Sequence, residues 1–110
     1  MTSVGQLEIR SEVKDGKGRL LPVGELDLAT VPILERAAAE ALGEHPEELV
    51  IDLSQLAFID STGLRLLITL HDESAEQGWA LRLLRPAESP RSLFRLTGLD
   101  GHLPLSEEVS

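Results

Sequence analysis

The hydroxyl and carboxyl groups of one short stretch, Asp60-Ser61-Thr62-Gly63, have the clearest potential for chemistry in this chain. Asp60 and Ser61 both favour helix N-termini, because their side-chain oxygens accept hydrogen bonds from amides that are otherwise unpaired in the first turn. A serine in such a position is usually only a cap. It is also a hydroxyl that a protein kinase can modify, and phosphorylation adds about −1.5 to −2 charges beside a helix terminus whose dipole favours negative charge. The residue pattern by itself leaves both roles open.

A strand and a helix are predicted to flank this stretch. Residues 50–53 form a short apolar run, interrupted only by Asp52, which is typical of a strand buried on both faces. Residues 58–59 are then expected to bring the chain to the surface through a short loop, and a helix is expected over residues 62–77. Gly63 weakens the first turn of a helix relative to alanine, which indicates that backbone or a partner must approach closely there.

The helix over residues 62–77 is predicted to be amphipathic. At about 100° per residue, one arc is apolar and the opposite arc is polar or charged. The apolar arc holds Leu64, Leu67, Ile68, Leu70, His71 and Ala75, and the opposite arc holds Arg65, Thr69, Asp72, Glu73 and Glu76. We therefore expect the leucine-rich face to cover a sheet, and we interpret His71 as a hydrogen-bonded core residue.

The rest of the chain predicts a mixed α/β fold. Strands are predicted over residues 7–13, 19–23, 79–84 and 103–105, a turn at 15–18, and further helices over 31–42 and 90–97. Thr30 is the predicted cap of the first helix and Pro32 fits its first turn, while Ser89 followed by Pro90 predicts the start of the last helix. Pro22 fits a strand only near an edge or a bulge. This order of elements predicts a mixed sheet covered by helices.

The composition indicates one soluble globular domain over residues 1–110. The chain has 42% hydrophobic residues, 26% charged residues and a net charge of −9, so no basic patch is expected for nucleic acid or for an anionic membrane. The absence of cysteine excludes disulfides and zinc–cysteine sites, and the first residues carry no signal-peptide pattern. There is no glycine-rich phosphate loop, and the three histidines are too scattered to indicate a metal site. We expect neither a cofactor nor a metal.

The stretch DLSQLAFIDSTGL, residues 52–64, resembles the signature of the STAS domain, and in particular that of the stand-alone bacterial anti-sigma factor antagonists. That signature runs D-L-S-x-L/V-x-F-I-D-S-S/T-G-L. A second family element, G-E-L-D, is present as residues 24–27 before the first helix. The resemblance covers nearly the whole chain. It implies the STAS fold, an α/β fold in which a mixed sheet of four to five strands is covered by about three to four α-helices.

The resemblance also implies a function. In the family, the serine after the second aspartate is phosphorylated by the anti-sigma factor, which is itself a serine kinase, and that position is Ser61 here. The unphosphorylated protein is expected to bind the nucleotide-bound kinase and free a sigma factor in the cytoplasm, and a PP2C-like phosphatase is expected to reverse the modification. The chain is then a kinase substrate and not an enzyme. The residues expected at the partner surface are Asp27, Asp60, Ser61, Thr62, Gly63 and Leu64.

Several of these assignments have simpler alternatives. Asp27 can equally end a strand and Asp60 can cap a helix, while Thr62 ranks second to Ser61 as the phosphate acceptor. We interpret Asp52 as a hydrogen-bonded structural carboxylate. The whole chain can also be a STAS subunit of a lipid-transport ATPase complex or of a signalling scaffold, without a phosphorylation switch. A third alternative is a small enzyme or nucleotide-binding protein that uses its acidic residues.

Overall fold

Strands and helices alternate along the chain, as a mixed α/β sheet requires. The computed structural model describes residues 6–106. Its strands are β1 (Leu7–Lys14), β2 (Lys17–Leu26), β3 (Glu48–Asp52), β4 (Leu56–Ile59), β5 (Ala80–Leu84) and β6 (Leu105–Ser106). Its helices are α1 (Val31–Leu42), α2 (Ser61–Gln77) and α3 (Glu88–Thr97), and a single 3-10 turn follows at Leu99–Gly101. The α/β class predicted from the sequence is confirmed.

One sheet contains these strands, in the spatial order β1-β2-β3-β5-β6, with β4 beside the C-terminal part of β2. β1 and β2 form an antiparallel hairpin. Its turn consists only of Asp15 and Gly16, whose φ angles of 53° and 76° are the left-handed values that two-residue hairpins need. The other pairs, β2–β3, β2–β4, β3–β5 and β5–β6, are parallel. Parallel neighbours need crossover connections, which α1, α2 and α3 supply.

The core is built almost entirely from aliphatic side chains. Leu20, Ile51 and Leu83 lie side by side on neighbouring strands and are at most 1% exposed. The helices add Leu34, Ala38 and Ala41 from α1, Leu64, Leu67 and Leu70 from α2, and Phe94 from α3. Full burial of one such leucine contributes about 1.5–3 kcal/mol. The apolar face of α2 thereby fixes the position of the helix that begins at Ser61.

The segment before Asp60 is a strand and not the loop that the sequence predicted. β4 pairs with β2 from Gly24 to Leu26, and the register shifts between Gly24 and Glu25. Its two ends are buried, with Leu56 0% and Ile59 3% exposed. The expectation that residues 58–59 merely return the chain to the surface is therefore wrong for Ile59. The described part of the sheet has six strands, not four to five, because β4 and the short β6 both join it.

Several predicted boundaries shift by one or two residues. α3 begins at Glu88, with Ala87 at its cap position, so Ser89 is not the cap. β6 covers Leu105–Ser106 and not residues 103–105. Pro22 lies where β2 pairs with neither β3, whose ladder ends at Leu20, nor β4, which confirms its placement near an irregularity.

The predicted helix faces also need corrections. Ala75, assigned to the apolar face of α2, is exposed, and Ile33 on α1 is 43% exposed although it is a large apolar residue. Leu66 and Ser74 are buried instead, and Ser74 can be buried because its hydroxyl donates to the His71 carbonyl at 2.6 Å. His71 itself has a buried Nδ1 atom with no hydrogen-bond partner within residues 6–106, so the expectation of a satisfied core histidine is wrong.

Candidate functional site

Two loops from distant parts of the sequence meet at the end of the sheet where α2 begins. The Asp60 amide donates to the Leu26 carbonyl at 3.1 Å, which joins the ends of β4 and β2. The Leu28 amide donates in turn to Oδ2 of Asp60 at 3.2 Å. The G-E-L-D motif and the D-S-T-G motif, about 30 positions apart in the chain, are therefore held against each other at Asp60.

Asp60 is the cap of α2. Its Oδ1 atom accepts hydrogen bonds from the amides of Thr62 and Gly63, both at 3.0 Å. The same atom accepts from the Thr62 hydroxyl at 2.5 Å. One carboxylate thus satisfies two of the amides that are otherwise unpaired in the first turn. This is the capping interaction that the residue type of Asp60 predicted.

The two neighbouring hydroxyl groups differ in their freedom. Ser61 occupies the first position of α2 and is exposed, and its side chain makes no hydrogen bond to any part of the chain that the structure describes. The Thr62 side chain is half-buried and donates to Asp60. Ser61 therefore presents the accessible nucleophilic hydroxyl of the pair.

Gly63 and Leu64 face inward and not toward the surface. A Cβ atom on Gly63 would lie 2.8 Å from Cγ1 of Ile59 and 2.8 Å from Cγ of Leu26, closer than packed carbon atoms approach. The sequence predicted that another group approaches Gly63 closely, and that group is the protein's own core. Leu64 is only 5% exposed. Its side chain anchors α2 to the sheet, which takes it away from any surface a partner can touch.

Asp27 shapes the turn that follows β2. The residue is 9% exposed, and its Oδ1 atom accepts from the amides of Ala29 and Thr30 at 3.0 and 3.1 Å. Thr30 occupies the predicted cap position of α1 but makes no side-chain cap; its hydroxyl donates to the Glu25 carbonyl at 2.7 Å and accepts from the Asp27 amide at 2.9 Å. These bonds fix the backbone on which Leu28 is displayed.

An apolar depression lies beside Asp60 and was missed from the sequence. It is lined by Asp27, Leu28, Ala29, Phe58 and Asp60. Leu28 is 75% exposed and Phe58 is 43% exposed, although both are large apolar residues. Exposed apolar patches with a polar rim commonly mark sites of protein interaction. The only sequence signal was an apolar residue directly after the G-E-L-D motif, in a turn where a polar residue is usual.

Asp60 remains ionised under ordinary conditions. Burial alone would raise the pKa of Asp60, but hydrogen bonds from the Thr62 hydroxyl and from the amides of Gly63, Leu28 and Thr62 outweigh burial and lower it below 3.8. Asp52 follows the same pattern: burial raises its pKa, and hydrogen bonds from Ser54 together with the Arg85 guanidinium lower it. Asp52 is the hydrogen-bonded structural carboxylate that was expected.

These shifts predict a loss of stability in acid. A carboxylate with a lowered pKa binds fewer protons in the folded than in the unfolded state near its unfolded pKa. The stabilisation from Asp60 and Asp52 is therefore present above about pH 4 and is lost as the pH falls through their folded pKa values. Urea unfolding between about pH 7 and pH 3 measures this loss. Asp60→Asn keeps a capping side chain without the charge, so the free energy of unfolding should depend less on pH in this variant. An unchanged pH dependence would contradict the role assigned to Asp60.

Two kinds of feature are absent from residues 6–106. No group of three or more His, Asp or Glu side chains there lies close enough together to hold a metal ion. No helix in the same range has the length and apolarity that crossing a bilayer requires.

Comparisons with known proteins show the family and the fold of this chain. A model of the STAS domain matches residues 8–110. The anti-sigma-F factor antagonist RsfB of Mycobacterium tuberculosis is 36% identical over 77 residues, which cover 70% of this chain but only 62% of that relative. A crystal structure of an anti-sigma factor antagonist from Mycobacterium paratuberculosis has a TM-score of 0.84 at 28% identity, over 99% of this chain and 92% of that one. SpoIIAA of Bacillus in its phosphorylated form shares the fold, with a TM-score of 0.71 at 20% identity over 96% and 93% of the two chains.

Proposed function

Because the chain belongs to the STAS domain family, we propose that it is an anti-sigma factor antagonist whose binding is switched off by phosphorylation of Ser61. The observation that carries this proposal is the exposed, unengaged Ser61 hydroxyl at the first position of α2, beside a fixed apolar depression. The Mycobacterium relatives named as antagonists support the choice of partner. The partner is a nucleotide-bound anti-sigma factor that is also a serine kinase, and its capture frees a sigma factor in the cytoplasm.

The phosphorylation step needs only an accessible acceptor from this chain. The Oγ atom of Ser61 attacks the γ-phosphorus of the nucleoside triphosphate that the kinase holds. The bond from the γ-phosphorus to the leaving oxygen breaks, the nucleoside diphosphate departs, and the serine proton passes to a base of the kinase. Asp60 and Asp27 are already engaged with backbone amides. The chain is thus proposed to be a substrate and not an enzyme, and a PP2C-like phosphatase supplies the water-dependent reversal.

The same geometry favours Ser61 over Thr62 as the acceptor. Phosphorylation of Thr62 would require its hydroxyl to leave Oδ1 of Asp60 and would disturb the cap of α2. Phosphorylation of Ser61 breaks no hydrogen bond in the described part of the chain. The fold therefore need not change, and the partner must detect the phosphate directly.

The proposed contact surface combines the Ser61 hydroxyl with the apolar depression. Leu28 and Phe58 offer apolar area that is lost from water on binding, while Asp27 and Asp60 hold the two loops in place. Such a preformed surface binds with little ordering cost. Gly63 and Leu64 contribute indirectly, because they seat the first turn of α2 on the sheet.

A matched pair of leucine variants tests the proposal. Leu28→Ala should weaken binding to the nucleotide-bound anti-sigma factor by about tenfold, the usual scale for an apolar residue at the centre of an interface. Leu96→Ala removes another highly exposed leucine, 84% exposed on α3, and should leave the affinity unchanged. Calorimetric titration measures both. Failure of the unmodified chain to bind any anti-sigma factor of its organism would overturn the function, and equal losses in both variants would overturn the surface.

A further inference from the structure

Arg65 is an exposed cation in the first turns of α2, four residues after Ser61. Side chains at positions i and i+4 of a helix lie on the same face, with Cβ atoms about 5–6 Å apart. An anion four residues before a cation is also the more favourable order, since it agrees with the helix dipole. The guanidinium group of Arg65 is therefore within reach of a group attached to the Ser61 oxygen.

No acidic residue competes for Arg65 along its own helix. The residues three and four positions away are Ser61, Thr62, Ile68 and Thr69, and none is a carboxylate. Within residues 6–106, no ion pair or hydrogen bond of the Arg65 side chain is found. In a chain with a net charge of −9, an exposed arginine without a carboxylate partner is notable, and its hydroxyl-bearing neighbours acquire charge only by modification.

Two amides of the helix terminus are not free to hold a phosphate on Ser61. Those of Thr62 and Gly63 already donate to the ionised Asp60 carboxylate. That carboxylate also repels a second anion placed beside it. The sequence alone suggested that the N-terminus of α2 would accommodate a phosphate, but the cap occupies those donors. Arg65 is an exposed cationic donor four residues after Ser61 on the same helix.

We propose that Arg65 binds the phosphate of phosphorylated Ser61 through charge-assisted hydrogen bonds across one turn of α2. This inference rests on the proposed function only in taking Ser61 as the modified residue. Phosphorylation then changes the surface in two ways: it adds an anion, and it withdraws a cation that is otherwise free to face the partner. The summed charge of the two side chains changes from +1 to about −0.5 to −1 at neutral pH.

The test measures the ionisation of the phosphate itself by ³¹P NMR. Phosphoserine is placed at position 61 during synthesis of the full chain, so no kinase or partner is needed. A nearby guanidinium stabilises the dianion and lowers the second pKa of the phosphate from its usual value of about 6. Arg65→Gln should raise that pKa by a few tenths of a unit, the scale expected of an i,i+4 pair. Arg65→Lys keeps the charge but lacks the planar guanidinium group, so its phosphate pKa should lie between that of the parent and that of Arg65→Gln.

Arg10→Gln is the matched control, because it removes another exposed arginine, which lies on β1. Arg10 pairs with Leu21 on β2. Leu21 is five residues, or roughly 16 Å, from Leu26 at the end of β2 that lies beside α2. Its removal should leave the phosphate pKa unchanged. Equal shifts in the Arg65 and Arg10 variants, or no shift in either, would overturn the proposed pairing. Such a result would leave the antagonist function untouched, whereas a failure to bind an anti-sigma factor would leave the phosphate titration unaffected.

Discussion

Phosphorylation of Ser61 is expected to weaken binding to the nucleotide-bound anti-sigma factor by two to three orders of magnitude. The acceptor hydroxyl must approach the nucleotide phosphates for transfer, so a phosphate on Ser61 faces like charges in any similar complex. Two unit charges about 4 Å apart near a protein surface repel by roughly 4 kcal/mol before salt screening. Each 1.4 kcal/mol or so is a tenfold change in affinity. Pairing with Arg65 compensates only part of the two negative charges.

Four forms of the protein separate charge from shape in this prediction. The unmodified chain and Ser61→Ala should both bind, since alanine adds no charge and its substitution breaks no hydrogen bond within residues 6–106. Ser61→Glu should bind more weakly, and the phosphoserine form most weakly, because its charge is larger. Raising the salt concentration should narrow these differences by screening. Equal affinities of Ser61→Ala and Ser61→Glu would remove the proposed switch.

Gly63→Ala is expected to destabilise the fold by about 1–2 kcal/mol. The added methyl group overlaps side-chain carbons of Ile59 and Leu26, both buried, at 2.8 Å. Overpacking of a filled core typically costs about 1–3 kcal/mol, and the better helix propensity of alanine offsets at most about 1 kcal/mol of that. For a domain of this size, the midpoint of thermal unfolding should fall by roughly 4–8 °C per kcal/mol.

Gly101→Ala provides the control for this substitution. Its added Cβ atom meets nothing within 4 Å, so its stability should stay within about 0.5 kcal/mol of the parent. Thermal unfolding followed by circular dichroism compares the three proteins. A Gly63→Ala protein as stable as the Gly101→Ala protein would show that the first turn of α2 moves away from the sheet easily. The rigid placement of Ser61 would then lose its support.

The local features of the site were predictable because helix capping depends on neighbouring residues. Asp60 and Ser61 could be placed at the start of α2 from residue type alone, since the cap bonds only the next three positions. The amphipathic pattern placed most of the core face of α2 for the same reason. These interactions are set by the helical repeat, which the sequence displays directly.

The parts that were missed depend on contacts between distant segments. β4 is buried at Leu56 and Ile59 and exposed between them, so it lacks the two-residue alternation of a strand. It forms because β2 offers free backbone groups beyond Gly24. The hydrogen bond from the Leu28 amide to Oδ2 of Asp60 joins residues 32 positions apart. From the sequence, Asp60 could be recognised only as a cap of its own helix. The exposure of Leu28 and Phe58 likewise follows from tertiary packing, which periodicity does not report.

Release of a sigma factor is the measurement that tests the central claim most directly. A preformed complex of the sigma factor with its nucleotide-bound anti-sigma factor is mixed with the unmodified chain or with the chain carrying phosphoserine at position 61, and free sigma factor is quantified. We predict concentration-dependent release by the unmodified chain and at least about a hundredfold weaker release by the phosphorylated one. Equal release by both forms, or none by the unmodified chain at any concentration, would contradict a phosphorylation-controlled anti-sigma factor antagonist.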